Sequence, residues 1–140
     1  MRPVELNFVI RGSDFINAGE ASSNMKKALS RLGLNPSVVK RAAIAMYEAE
    51  LNAMIHGGGG QARVQIFSDQ VLITISDEGP GIPDVGLAMQ EGWSTAPDLA
   101  REMGFGAGMG LPNIKKNADE MKIETEIGQG TTLTILIRFA

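Results

Sequence analysis

Two stretches, VLITISD at residues 71–77 and TTLTILIRF at residues 131–139, alternate apolar and polar residues with a period of two. No other feature constrains the fold as tightly. Successive side chains on a strand point to opposite faces, so a period of two sorts them onto two sides of a sheet. Val71, Ile73, Ile75 and Asp77 share one side, as do Thr131, Leu133, Ile135, Ile137 and Phe139. The other side carries Thr74, Ser76, Thr132, Thr134 and Arg138. Such a sheet is buried mainly on one face and needs an apolar layer to cover it.

The rest of the chain supplies more strands and that layer. VELNFVI alternates with Val4, Leu6, Phe8 and Ile10 on one face, and ARVQIFS reads as the first arm of a hairpin turning near Asp69. SDFINAGEASSNMKKALSRLG reads as one helix with Phe15, Ala18, Ala21, Met25, Ala28 and Leu29 near a single stripe and Gly33 as its stop. NPSVVKRAAIAMYEAELNAMIHG is a second helix, with Pro36 at its start and Gly57 as its cap. GLPNIKKNADEM is a third, and KIETEIGQGTTLTILIRF a final hairpin turning at residues 128–130. A short helix follows GPGIPD around VGLAMQEG, and residues 93–108 read as irregular. Three amphipathic helices over a one-sided sheet make a two-layer α/β sandwich, expected as one domain over residues 1–140.

Composition removes several classes of function. The 140 residues contain no cysteine, which excludes disulfides, thiolate metal sites and a cysteine nucleophile. No apolar run reaches the length of a membrane span, and MRPVELNFVI carries no signal-peptide pattern, so the expectation is a cytoplasmic protein away from membranes. The formal net charge of −3 offers no electrostatic footprint for nucleic acid. Most of the 17 glycines cluster in three places, which points to backbone work at a site.

The second helix carries a polar stripe. Residues four apart drift by only about 40° around a helix, so Glu48, Asn52 and His56 lie in one line beside Ile44, Leu51 and Ile55. By the same arithmetic Glu50 points away and is expected in solvent. Carboxylate, amide and imidazole together can hold a hard cation and activate a hydroxyl or water. The plain alternative is a solvated helix flank.

The glycine segments have two readings each. In DEGPGIPD, Asp77 faces inward by strand parity and needs a partner, because an unpaired buried charge is costly. A ligand amine would serve, and Gly79 and Gly81 would let a ring approach the backbone. A tight turn set by Pro80 and Pro83 is the alternative. GFGAGMG places Gly104, Gly106, Gly108 and Gly110 at alternate positions before a helix, able to present N–H groups to phosphate or to form a mobile loop. It is neither a P-loop nor a GxGxxG fingerprint. GQGTT is a hairpin turn in which Thr131 shares the parity of the inward residues.

Taken together and in this order, EAELN, DEGPG, GFGAGMG and GQGTT resemble the N box, adenine box, phosphate loop and final G-T box of the GHKL ATPases, the gyrase, Hsp90, histidine kinase and MutL group with the Bergerat fold. The resemblance spans nearly the whole chain and implies a mixed, mostly antiparallel sheet covered on one face by helices. The short length and DEGPGIPDVGLAMQEGWST are most similar to the small bacterial serine-kinase and anti-sigma-factor branch.

The resemblance implies roles for the matching positions. Glu48 would be the general base and Asn52 the Mg²⁺ ligand. Asp77 would accept the adenine amine, with Thr131 nearby and Gly79, Gly81 and Ile82 shaping the pocket. Gly104, Gly106, Ala107, Gly108, Met109, Gly110 and Leu111 would wrap the phosphates. His56 would lie near them, residues 93–103 would form a short lid, and Arg101 would be a γ-phosphate contact. On that assignment the polar stripe faces a nucleotide rather than a neighbouring helix.

The implied activity is a Mg·ATP-dependent serine/threonine kinase acting on a small protein partner resembling an anti-sigma antagonist, with a sigma factor as a second partner. The alternative is an ATP-gated binding module with little turnover. The resemblance also implies a homodimer, for which the N-terminal strand would offer a sheet edge. The chain's one histidine falls in the N box, and no dimerising helical hairpin precedes the domain, so a complete sensor histidine kinase is not expected.

Overall fold

The computed structural model describes residues 2–12, 15–82, 85, 89 and 110–139. Five strands form one sheet: β1 (Val4–Arg11), β2 (Gly59–Ile66), β3 (Gln70–Asp77), β4 (Glu120–Glu126) and β5 (Gly130–Arg138). Their order is β1-β2-β3-β5-β4. All four pairings are antiparallel, where a mixed sheet was expected. The difference follows from connectivity. Two pairs are tight hairpins, which force antiparallel neighbours. The return from β1 enters β2 at the end where β1 left, Arg11 beside Gly59, whereas the return from β3 crosses to the far end to start β4 at Glu120, so β5, coming back from β4, runs against β3. The N-terminal strand lies at one edge, as the homodimer argument assumed.

The alternation does what a period of two requires. Val71, Ile73 and Ile75 on β3 and Leu133, Ile135 and Ile137 on β5 are all buried. Their register pairs them as Ile75 with Leu133, Ile73 with Ile135 and Val71 with Ile137. Val64 and Ala62 continue the buried rows across β2. The opposite face bears Thr74, Thr134, Arg63 and Lys122 in one cross-strand row.

Three helices meet the described residues: α1 (Glu20–Arg31), α2 (Pro36–Ile55) and α3 (Gly110–Asn117). Helix α2 lies between the sheet, α1 and α3. It buries Val38, Val39, Ala42, Ala45, Met46, Ala49, Leu51, Ala53 and Met54, so it is apolar nearly all round. Asn35 caps it by accepting the Ser37 N–H at 2.9 Å, with Pro36 at the first position. Met25 and Met46 are fully buried and fill the core.

Three further expectations change. The first helix does not run from residue 13. A 3-10 turn at Phe15–Asn17 comes first, and α1 starts at Glu20 after Gly19, whose φ of +88° breaks the helix. The third helix ends at Asn117, because Glu120 and Met121 have joined β4.

The third change concerns Glu50, which is not solvent-exposed but 3% accessible. Its Oε2 accepts the N–H groups of Gly19 and Ala21 at 3.2 Å each, and its Oε1 accepts Ser22 N–H at 3.0 Å. The far side of α2 faces the start of α1 rather than water. Gly19 has no side chain with which to cap that helix, so a carboxylate from α2 does it. The short helix expected near residue 85 and the irregular stretch at 93–108 lie outside the described residues, apart from Val85 and Met89.

Candidate functional site

The last residue of β3, the end of α2 and the first residues of β5 converge at one end of the sandwich. Asp77 pairs with Thr131 on β5 and Gly60 on β2. Its side chain is therefore inward, as parity predicts. Oδ1 accepts Gly79 N–H at 2.9 Å and Thr131 N–H at 3.3 Å. These two bonds hold the carboxylate plane still. Gly57 packs directly on it: a Cβ at residue 57 would lie 2.7 Å from Oδ2. A Cβ at Gly79 would lie 2.6 Å from the Cα of Gly57. The glycines let the loop after β3 and the end of α2 close on each other around Asp77.

Gly81 adopts φ +83°, and a Cβ there would lie 2.6 Å from the Glu126 carbonyl oxygen. The adjacent Ile82 is half-buried and packs on the core. Ile82 N–H donates to Thr125 Oγ1 at 2.8 Å, and the Thr125 and Thr131 hydroxyls are 2.9 Å apart. Gly128 N–H donates to the Pro80 carbonyl at 2.9 Å. So the β4–β5 hairpin fastens the segment after Asp77 at two points. Thr125 was not singled out in the sequence. Its parity with Thr131 across the hairpin was the available signal, obscured by the charged residues around it.

Glu48 and Asn52 lie further back along α2. Glu48 is half-buried, and its Oε1 accepts Asn113 Nδ2 of α3 at 3.3 Å. Burial pushes the Glu48 carboxyl above the ordinary carboxylate range, and the bond from Asn113 opposes that rise. The side chain of Asn52 sits against Gly110, where a Cβ would lie 3.1 Å from Oδ1. The polar stripe thus borders the first turn of a neighbouring helix, where a nucleotide alone was expected. Leu111, one residue on, is buried under that turn. Asn113 was also missed, because GLPNI reads as a plain amphipathic start.

His56 closes α2, with its N–H donating to the Asn52 carbonyl at 2.9 Å. Burial lowers its pKa, and the negative charge of Asp77 works against that. At 1.5 Å per residue, Glu48 and Gly57 are about 13 Å apart along the helix axis. One end of this arrangement is therefore the carboxylate of Asp77, held by two N–H groups, and the other a carboxylate and an amide beside the first turn of α3. Arg101, Gly104, Gly106, Ala107, Gly108 and Met109 lie outside the described residues.

Among the described residues no helix is long and apolar enough to cross a membrane. A family model described as histidine kinase-, DNA gyrase B-, and HSP90-like ATPase matches residues 37–140. The chain is 30% identical over 124 residues to the serine/threonine-protein kinase RsbT of Bacillus subtilis, covering 86% of this chain and 85% of that one. It is 30% identical over 142 aligned positions to an anti-sigma F factor of Clostridium acetobutylicum, covering 98% and 94%. Among solved structures, the RsbU and RsbW domains of a Mycobacterium tuberculosis protein superpose with a TM-score of 0.66 at 19% identity, over 96% of this chain and 32% of that one. A SiaB–SiaC complex from Pseudomonas aeruginosa gives a TM-score of 0.61 at 16% identity, over 94% and 88%.

Proposed function

The chain belongs to the histidine kinase-, DNA gyrase B- and HSP90-like ATPase family, and from that premise we propose a Mg·ATP-dependent serine/threonine protein kinase of the anti-sigma-factor type. It phosphorylates a small protein partner and so regulates transcription by partner switching. The observation that carries the reading is the spacing of two unlike ends on one helix. Glu48 and Asn52 meet the start of α3, while Gly57, a few residues on, packs against Asp77.

At the Asp77 end, a carboxylate held by two N–H groups accepts the exocyclic amine of adenine. The Thr131 hydroxyl lies beside it, and Gly79, Gly81 and Ile82 wall the pocket. At the other end, the N-terminus of α3 meets phosphate oxygens, and the family resemblance assigns the glycine segment 104–110 and Arg101 to the same phosphates. His56, which feels the charge of Asp77, belongs to the adenine end and not to the phosphate end that the resemblance implied.

A divalent cation fits this donor set. Asn52 offers a hard side-chain oxygen next to the phosphate end, and Mg²⁺ takes few protein ligands when phosphates and water complete its shell. Among the described residues no group of three or more His, Asp or Glu forms a separate cage. Bound there, Mg²⁺ would neutralise phosphate charge.

In the transfer, the partner's hydroxyl oxygen forms a bond to the γ-phosphorus. The bond from that phosphorus to its bridging oxygen breaks, its electron pair passing to ADP. Glu48 accepts the hydroxyl proton, and its burial, which raises its proton affinity, suits it to that task. Positioning and charge neutralisation supply the rest. A small protein of the anti-sigma-antagonist kind is the substrate class, with a sigma factor as the competing partner and a homodimer formed through β1 as the working assembly.

The test is transfer of label from Mg·[γ-³²P]ATP to serine or threonine of purified antagonist-type proteins. Label should appear with wild type and vanish with Glu48→Gln. Nucleotide-dependent partner binding without any label would instead establish the ATP-gated binding module.

A further inference from the structure

The Glu48 side chain has three rotatable bonds and starts from a helix flank, so nothing in its own backbone aims the carboxylate. A base that wanders transfers protons poorly, since a misplacement of about 1 Å can cost about 100-fold in rate. Something must hold it. Oε1 of Glu48 accepts a hydrogen bond from Asn113 Nδ2 at 3.3 Å. The orientation of that amide is dictated by chemistry: an ionised carboxylate only accepts, so Asn113 must present its NH₂ group.

Asn113 is itself held. Its backbone carbonyl accepts Asn117 Nδ2 at 2.9 Å. The Asn117 carbonyl accepts Arg41 Nε at 3.0 Å, and Arg41 also pairs with Asp119 at 3.0 Å. Arg41 belongs to α2, two turns before Glu48. At the opposite end of α3, Gly110 abuts Asn52, again on α2. Helix α3 is therefore pinned to α2 at both ends, with Asn113 between the pins, facing Glu48. We propose that Asn113 is the positioning residue that aims the Glu48 carboxylate for proton transfer. The assignment rests on Glu48 being the base. It adds a residue outside the four glycine and N-box segments, and it ties the start of α3 to the chemistry: Gly110 and Asn113 are one turn apart, so whatever seats the one seats the other.

The experiment measures Mg·ATP hydrolysis, with water in place of the protein hydroxyl, for wild type, Glu48→Gln, Asn113→Ala, Asn113→Asp and the Glu48→Gln/Asn113→Ala double variant. Asn113→Ala should lower kcat about 10- to 100-fold with KM for Mg·ATP within about twofold. Asn113→Asp, of the same size but without the donor, should be at least as slow. In the Glu48→Gln background, Asn113→Ala should change nothing further. In the nucleotide-free protein, the Asn113 side-chain NH₂ resonances should move on Glu48→Ala.

A wild-type rate for Asn113→Ala, a further loss in the Glu48→Gln background, lost Mg·ATP binding or unmoved NH₂ resonances would each overturn the positioning role while leaving the kinase reading intact. An undiminished rate in Glu48→Gln, or no hydrolysis by wild type that binds Mg·ATP, would remove Glu48 as base and this proposal with it.

Discussion

Gly57 and Asp77 are in van der Waals contact, and the last turn of α2 comes this close to the end of β3 only because residue 57 lacks a side chain. A Cβ at residue 57 would stand 2.7 Å from the Asp77 Oδ2. Gly57→Ala must therefore push the carboxylate off its two N–H donors or lift α2 from the sheet. We expect a loss of about 1–3 kcal/mol in stability and a Mg·ATP affinity lowered at least tenfold. Chemical denaturation and isothermal titration read the two effects separately.

Asp77→Asn tests the acceptor without changing shape. A charge-assisted hydrogen bond is worth about 1.5–3 kcal/mol, so Mg·ATP and Mg·ADP should both bind about 10- to 100-fold more weakly. ADP is included because the loss belongs to the base rather than to the γ-phosphate. Unchanged affinity for both nucleotides would remove Asp77 from the site.

Glu50 provides a stability control away from the nucleotide. Glu50→Ala strips the start of α1 of an acceptor that takes three N–H groups. The cost should be about 2–4 kcal/mol in urea denaturation, and the amides of residues 19, 21 and 22 should lose hydrogen-exchange protection first. Mg·ATP affinity at temperatures where the variant is folded should stay near wild type.

Thr125→Val keeps the volume and removes the acceptor of Ile82 N–H. The Ile82 amide should exchange faster by one to two orders of magnitude, since the lost bond is worth about 1–3 kcal/mol. Base selectivity should also relax, read as the ratio of ATP to GTP affinity, because the wall next to Asp77 is no longer fastened to the β4–β5 hairpin.

His56 makes stability depend on pH in a stated direction. Its folded pKa lies below the ordinary 6.5, chiefly through burial. The folded state then binds fewer protons than the unfolded state in the window just below 6.5, so stability falls as pH drops through that window and levels off below the folded value. Glu48, raised by burial, has the opposite sign: its contribution falls as pH rises from about 4.5 toward its folded value. His56→Gln should therefore flatten the decline that begins as pH falls through the ordinary imidazole range near 6.5. The chain has one histidine, which makes the difference curve simple to assign.

Much of this molecule was legible in one dimension. A period of two in VLITISD and TTLTILIRF decided which side chains are buried, and Asp77 and Thr131 were placed inward by the same count. The spacing of Glu48, Asn52 and His56 put them on one line of α2, and the glycine clusters marked where backbones had to approach closely. These are local rules: strand parity, helical angle and the absence of a Cβ act within a few residues, so the sequence carries them unaided.

What the sequence could not carry is which surface each line meets. Helical arithmetic turned Glu50 away from Glu48 correctly, yet that direction held the start of α1 and not water. The stripe bordered the first turn of α3, and Asn113 and Thr125 became parts of the site through partners 65 and 43 residues away. Such contacts are set by how helices and hairpins stack over the sheet. That stacking is decided by burying the whole apolar surface at once, so no single segment contains it.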